Sequence, residues 1–176
     1  AGWRISNGAS TLEFQCERDL KMIEIPAVAA DSRDVSTIDG IMKAFYEVIS
    51  GPAGQARQWA RDKTLYAPEA RMAALSVENG KIRVVQVSQN QFANGSNEFF
   101  VAEGFVEREL RREVRRFGNI AHVFSAYEYE TTRDPAKKLT GRGVNSLQLF
   151  WDGARWWVFA VSWDEERPGN PIPKEF

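Results

Sequence analysis

Apolar residues at Ile38, Ile41, Met42, Phe45, Val48 and Ile49 recur at the spacing of one helical face, which predicts an amphipathic helix over 36–50. Ser36 with Asp39 resembles a capping box at its start, and Gly51-Pro52 stops it. A second helix is expected over 55–66, with Trp59 as its core contact and Pro68 beyond its end. The pattern then changes to strands. Runs at 70–77 and 81–87 flank Glu78-Asn79-Gly80, and Asn-Gly between β-prone segments is a strong hairpin signal. Ser88 and Gln91 form a capping pair for a short helix over 88–100. Over 104–117, Val106, Leu110 and Val114 fit a helical stripe, yet they also alternate with Arg108, Arg112 and Arg116 as strand residues do, so periodicity leaves this segment open. Strands follow at 120–130 and 144–151, and Asp152-Gly153 turns the chain into a last strand near 155–164. Pro168, Pro171 and Pro173 keep the tail extended and out of any central strand position.

Early helices followed by antiparallel hairpins predict an α+β fold. Both faces of Trp156-Trp157-Val158-Phe159-Ala160-Val161 are apolar, and the helices are too few to cover a flat sheet of this size. A curved sheet wrapped around its own helices meets both conditions. The organisation expected is an N-terminal extension or leader over 1–35, one domain over 36–164 and a Pro-rich tail over 165–176. Met22 is a candidate natural start, with 1–21 as leader.

The 176 residues carry 23 basic and 24 acidic side chains, so no excess of positive charge points to nucleic acid or to an anionic membrane. A domain of this length buries roughly 70% of its unfolded surface, and 11 Phe, 6 Trp and 4 Tyr supply much of that area without disulfides. Cys16 is alone, which excludes an intrachain disulfide and a cysteine zinc cluster. No apolar run reaches the roughly 18 residues of a membrane span. A cytoplasmic protein is expected, although a signal peptide already removed would leave no trace.

Four motifs carry a family resemblance: Ile41-Met42-Lys43-Ala44-Phe45, Leu65-Tyr66-Ala67-Pro68-Glu69-Ala70, Gly118-Asn119-Ile120-Ala121-His122-Val123 and Asp152-Gly153-Ala154-Arg155-Trp156-Trp157-Val158. Together, over about 36–163, they resemble the NTF2-like superfamily, the cone-shaped α+β barrels that include the SnoaL-like and ketosteroid isomerase groups. The resemblance implies that 105–116 is a long bent strand paired with 119–130. It leaves the chemistry open, because this fold hosts isomerases, dehydratases, cyclases, epoxide hydrolases and non-catalytic modules. Members similar to ketosteroid isomerase use a helix-one tyrosine and a first-strand aspartate; the corresponding positions here are Phe45 and Ala74. Steroid-isomerase chemistry is therefore disfavoured, since enolate formation needs a base and a donor for the anion.

The resemblance implies a small hydrophobic or aromatic ligand in an apolar conical pocket, no cofactor, and a homodimer through the outer sheet face. Either the ligand is turned over by lyase, isomerase or hydrolase chemistry, or the chain is a binding or assembly module. His122, the one histidine, is the candidate acid or base; its simpler reading is a structural histidine bonded across strands or placed at a subunit interface. Phe45, Trp59, Tyr66, Asn145 and Trp163 are the candidate ligand-binding residues. Glu107, Glu109 and Glu113 are expected on one strand face, as ion pairs with neighbouring arginines except where the strand enters the cone near Phe105. Gly141-Arg142-Gly143 precedes a strand and lacks a third glycine, so it is no dinucleotide fingerprint. Asn94-Gly95-Ser96 is a formal glycosylation acceptor.

Overall fold

The computed structural model describes residues 4–6, 11–13 and 22–174. Strands β1 (Arg4–Ser6) and β2 (Thr11–Glu13) pair antiparallel with each other. Helices α1 (Ser32–Val35), α2 (Ile38–Ile49) and α3 (Trp59–Lys63) follow, then strands β3 (Tyr66–Glu78) and β4 (Lys81–Val87). Helix α4 (Gln89–Glu103) leads into β5 (Phe105–Phe117), β6 (Ile120–Thr131), β7 (Thr140–Trp151) and β8 (Trp156–Glu165). Six of these strands form one curved, unclosed sheet in the order β4-β3-β8-β7-β6-β5; every pairing is antiparallel except β3 with β8.

Helix α2 follows the predicted stripe and buries Ile41, Met42, Ala44, Phe45, Val48 and Ile49. Its cap is Thr37 rather than Ser36, with Thr37 Oγ1 accepting from the Gly40 amide at 2.9 Å; Ser36 is the residue that closes α1. Helix α3 is much shorter than 55–66. The buried Arg57 guanidinium donates to the carbonyls of Gly51, Gln55 and Phe100, holding the preceding residues as a loop until Trp59. Asn79 and Gly80, at φ 51° and 74°, form the turn between β3 and β4 that their sequence predicts. Strand β3 starts earlier than expected, and its pairing with β8 shifts between Tyr66 and Arg71, the stretch that contains Pro68, which has no amide to donate. The capping box of Ser88 and Gln91 starts α4, which runs on to Glu103.

The ambiguous segment is strand β5, paired along its length with β6. Its register slips between Glu109 and Arg111, and this bulge corrects one expectation. Glu107 and Glu109 pair with Tyr129 and Tyr127 on the concave face, whereas Glu113 pairs with Phe124 and faces outward. The concave face of the sheet closes over α2 and α4 to make the core. Ahead of α1, Ile23 and Ile25 pack against that core, and Asp34 of α1 is bound through both carboxylate oxygens by Arg61 at 2.7 and 2.8 Å. Asn94 is buried within α4, where its side chain bonds the Ile23 amide and the Asn90 carbonyl. No helix of the described residues is long and apolar enough to cross a membrane.

Candidate functional site

A cavity opens between the concave face and the two longer helices. Phe45 and Ile49 come from α2, Phe92 and Phe100 from α4, and Tyr66 and Met72 from β3. Strands β5 to β8 add Phe105, Glu107, Tyr127, Tyr129, Asn145, Val161, Trp163 and Glu165. The volume open to water-molecule centres is about 60 Å³, which holds a few water-sized groups at roughly 10–15 Å³ each on that measure. Ring packing fixes the wall. Phe100 stacks on Phe105 at 4.3 Å between centroids, Phe105 on Tyr129 at 5.4 Å, and Phe92 meets Trp163 edge-on at 5.9 Å.

The two tyrosines of β6 owe their positions to glycines on the neighbouring strand. Tyr127 pairs with Gly143 and Tyr129 with Gly141. A Cβ on Gly143 would stand 2.5 Å from the Tyr127 hydroxyl and from the Asp164 carbonyl, and one on Gly141 would stand 2.5 Å from the Tyr129 ring. Each phenol therefore lies over its glycine. Burial raises the pKa of Tyr66, Tyr127 and Tyr129, so all three stay neutral.

Glu107 is the chemically distinctive group. Its backbone is held by Ser50, whose hydroxyl donates to the Glu107 carbonyl and accepts from its amide, both at 3.0 Å. Its carboxyl lines the cavity and also a second hollow behind α2. Asn145 Nδ2 donates to Glu107 Oε1 and to the Tyr46 hydroxyl, each at 3.3 Å, which sets the orientation of the amide. Tyr46 in turn bonds Ser125 at 2.6 Å, and Ser125 donates to Glu109 at 2.6 Å. Burial pushes the Glu107 carboxyl up to about 8, against a lowering from the Asn145 bond and with a further push from the charge of Glu165. Glu165 accepts from the Tyr129 hydroxyl at 3.4 Å and is pushed up to about 7, again mainly by burial. At pH 7 the site therefore holds a protonated Glu107 beside a Glu165 close to its midpoint. Among the described residues no group of three or more His, Cys, Asp or Glu is arranged to hold a metal.

No protein-family model and no curated protein matches the chain. Solved structures do. An NTF2-like superfamily protein from Salmonella enterica aligns over 76% of this chain and 87% of its own, with a TM-score of 0.52 at 13% identity. The fold is the NTF2-like cone. Two further structures with this fold align over 75% of the chain. One is assigned as the beta subunit of an aromatic-ring-hydroxylating dioxygenase from Novosphingobium aromaticivorans (88% of its own chain, TM-score 0.58, 13% identity). The other is the hexachlorocyclohexane dehydrochlorinase LinA-type3 from Novosphingobium barchaimii (86% of its own chain, TM-score 0.57, 7% identity).

Within the NTF2-like cone, Phe45, Tyr66, Asn145 and Trp163 meet at one cavity. Trp59 stands behind the wall, stacked on Phe100 at 6.2 Å and tied through its indole N–H to Asn97 at 2.7 Å. His122 does not converge with them. It lies on the outer face of β6, where Nε2 and the Ser146 hydroxyl are 2.9 Å apart and the ring packs near Phe124. Ala74 is buried against Val85, Val87, Phe92, Phe99 and Trp163. The outward set at the last hairpin contains Phe150 and Trp157, while Trp156 is buried. Glu165, Tyr127 and Tyr129 are cavity residues that sequence reasoning missed. The signal for the tyrosines was present, as two tyrosines spaced by two on one predicted strand and two glycines spaced by two just ahead of the next.

Proposed function

We propose that this NTF2-like protein binds a small hydrophobic or aromatic molecule in the aromatic cavity, without a cofactor, and that Glu107 is the group that moves a proton there. The observation that carries this reading is a carboxyl set among aromatic rings and oriented by an amide whose own direction is fixed by Tyr46. In its protonated form Glu107 gives its proton to a carbonyl oxygen or a leaving group; the resulting carboxylate takes a proton from the adjacent carbon. One side chain thus supplies both halves of an elimination or an isomerisation. Tyr66, Tyr127 and Tyr129 offer neutral hydroxyls to oxygen that gains charge. On this account Glu107 takes the role that sequence alone offered to His122, which serves instead as a cross-strand tie on the outer face. The protein acts in the cytoplasm in this reading.

Native mass spectrometry of freshly purified protein tests the binding half. A small adduct that disappears in Val161→Phe, where the added ring fills the cavity, supports the reading. An adduct retained unchanged in that variant places the ligand elsewhere and defeats it. For the catalytic half, Glu107→Gln should lower turnover of the compound so identified by roughly 10² to 10⁴.

A second reading has its own observation. Phe117, Ile120 and Phe159 on the outer face are 83%, 60% and 55% exposed, an apolar surface that a second copy of the sheet would cover. One of the structures with this fold is assigned as a subunit of a larger enzyme. A homodimer through the outer face is compatible with the cavity and is part of the proposal.

A further inference from the structure

The cavity lining contains two carboxyls, Glu107 and Glu165, and no Lys, Arg or His. Among the described residues neither carboxyl forms an ion pair; the nearby Arg167 is spent on Asp164, and Arg112 on Asp39 and Glu109. The donors given to the pair are the Asn145 amide and the Tyr129 hydroxyl, both at long range. Two acids facing one cavity with no cation in its lining are a costly arrangement for a site built to hold a neutral molecule, because each disfavours ionisation of the other. Around them stand aromatic faces, Phe100, Phe105 and Tyr129 among them, whose π-surfaces attract a cation.

Building on the reading of the cavity as a ligand site, we propose that its ligand is a small apolar amine, bound as the ammonium, with nitrogen at Glu107 and Glu165 and its hydrocarbon body against the aromatic wall. Ion pairing and cation–π attraction then act together on the same group. An anion meets two carboxyls and is rejected. A neutral alcohol gains the apolar contacts alone.

Binding of the cation ionises a carboxyl that is otherwise protonated, so a proton leaves as the amine enters. The groups facing this pair are the hydroxyls of Tyr66, Tyr127 and Tyr129 inside the cavity, the Asp164–Arg167 pair beside Glu165, and, across the hollow behind α2, Tyr46 with Asp39, Lys43, Glu47, Arg108, Glu109 and Arg112. Of these, the tyrosines are held neutral and the charged groups are already paired, Lys43 with Glu47, Arg108 with Glu128, Arg112 with Asp39 and Glu109, and Arg167 with Asp164. Proton release is therefore assigned to the two cavity carboxyls.

The test uses matched series on the full chain by isothermal titration calorimetry: isoamylamine, isoamyl alcohol and isovalerate, then benzylamine, benzyl alcohol and benzoate. At pH 7 the amine should bind at least about tenfold more tightly than its alcohol, the carboxylate should not compete, and paired buffers of different ionisation enthalpy should register proton release. Glu107→Gln should erase the amine preference and keep the alcohol affinity; Glu165→Gln gives the same readout should the first variant fold poorly. An alcohol that binds as well as its amine, or an amine preference that survives both substitutions, overturns the amine proposal and leaves the cavity as a site for neutral ligands. Failure of every compound at millimolar concentration overturns the cavity reading as well.

Discussion

Replacing Glu107 with Gln should flatten the pH dependence of folding stability above neutrality. The carboxyl rises from an ordinary 4.5 to about 8 on folding, so between these values the folded protein keeps a proton that the unfolded chain gives up. Stability then falls as pH rises through that window, by up to about 1.4 kcal/mol per pH unit for each such group, and levels off above the folded value. Glu165 and Asp62, both pushed up to about 7 by burial, act in the same direction and are only half titrated at pH 7, so each still loses about 0.4 kcal/mol between pH 7 and 8. Over the interval from pH 7 to pH 8 the difference between wild type and Glu107→Gln isolates Glu107, because the other two carboxyls are common to both. Across it the folded carboxyl goes from mostly protonated to half protonated, a loss of about 1 kcal/mol. Gln keeps an oxygen for Asn145 and has no proton to lose, so the variant should lose about 1 kcal/mol less than wild type there. Urea unfolding at pH 5.5, 7 and 8 measures this directly. Equal losses from pH 7 to 8 in both proteins would refute the protonated Glu107 on which the proposed chemistry depends.

Gly143→Ala should destabilise by about 1–3 kcal/mol, and by more than Gly141→Ala. The first Cβ meets the Asp164 backbone as well as Tyr127, whereas the second meets the Tyr129 side chain alone; thermal unfolding of the two variants compares them. Arg61→Met should cost about 1–3 kcal/mol by chemical denaturation and more than Asp34→Asn, because it leaves the nearly inaccessible Asp34 carboxylate unpaired. Phe159→Glu should turn the proposed dimer into monomer in sedimentation at micromolar concentration; a wild-type protein that is monomeric there contradicts the outer-face interface.

Local chemistry made much of the fold legible. The α2 stripe, the Asn79-Gly80 turn and the Ser88/Gln91 cap are decided within a few residues, and each stands where its sequence put it. Apart from the α2 cap, which moves by one residue to Thr37, the failures are long-range. The α3 segment has helical spacing, but Arg57 reaches across to the Phe100 carbonyl and keeps the loop from winding. The alternation in β5 is compatible with two periods and resolves only through pairing with β6; the bulge after Glu109, which turns Glu113 outward, leaves no mark in the sequence. The cavity was partly readable for the same reason. Phe45 follows from a helical face, and Asn145 was conspicuous as an amide on an otherwise apolar strand face. Glu165, one residue past the expected end of the last strand, was hidden by an error of one position, and His122 by the two-residue period that turned it outward.

The account turns on whether the cavity is where a small molecule binds. Two-dimensional NMR of side-chain amides and indoles during a titration with benzylamine addresses this most directly, because the probes lie on opposite faces of one sheet. Binding in the cavity should give saturable shifts of the Asn145 amide and the Trp163 indole, with the Trp157 indole, tied to Asp152 at 2.7 Å on the outer side, left unmoved. Shifts concentrated at Trp157, with Asn145 and Trp163 unchanged, would contradict it.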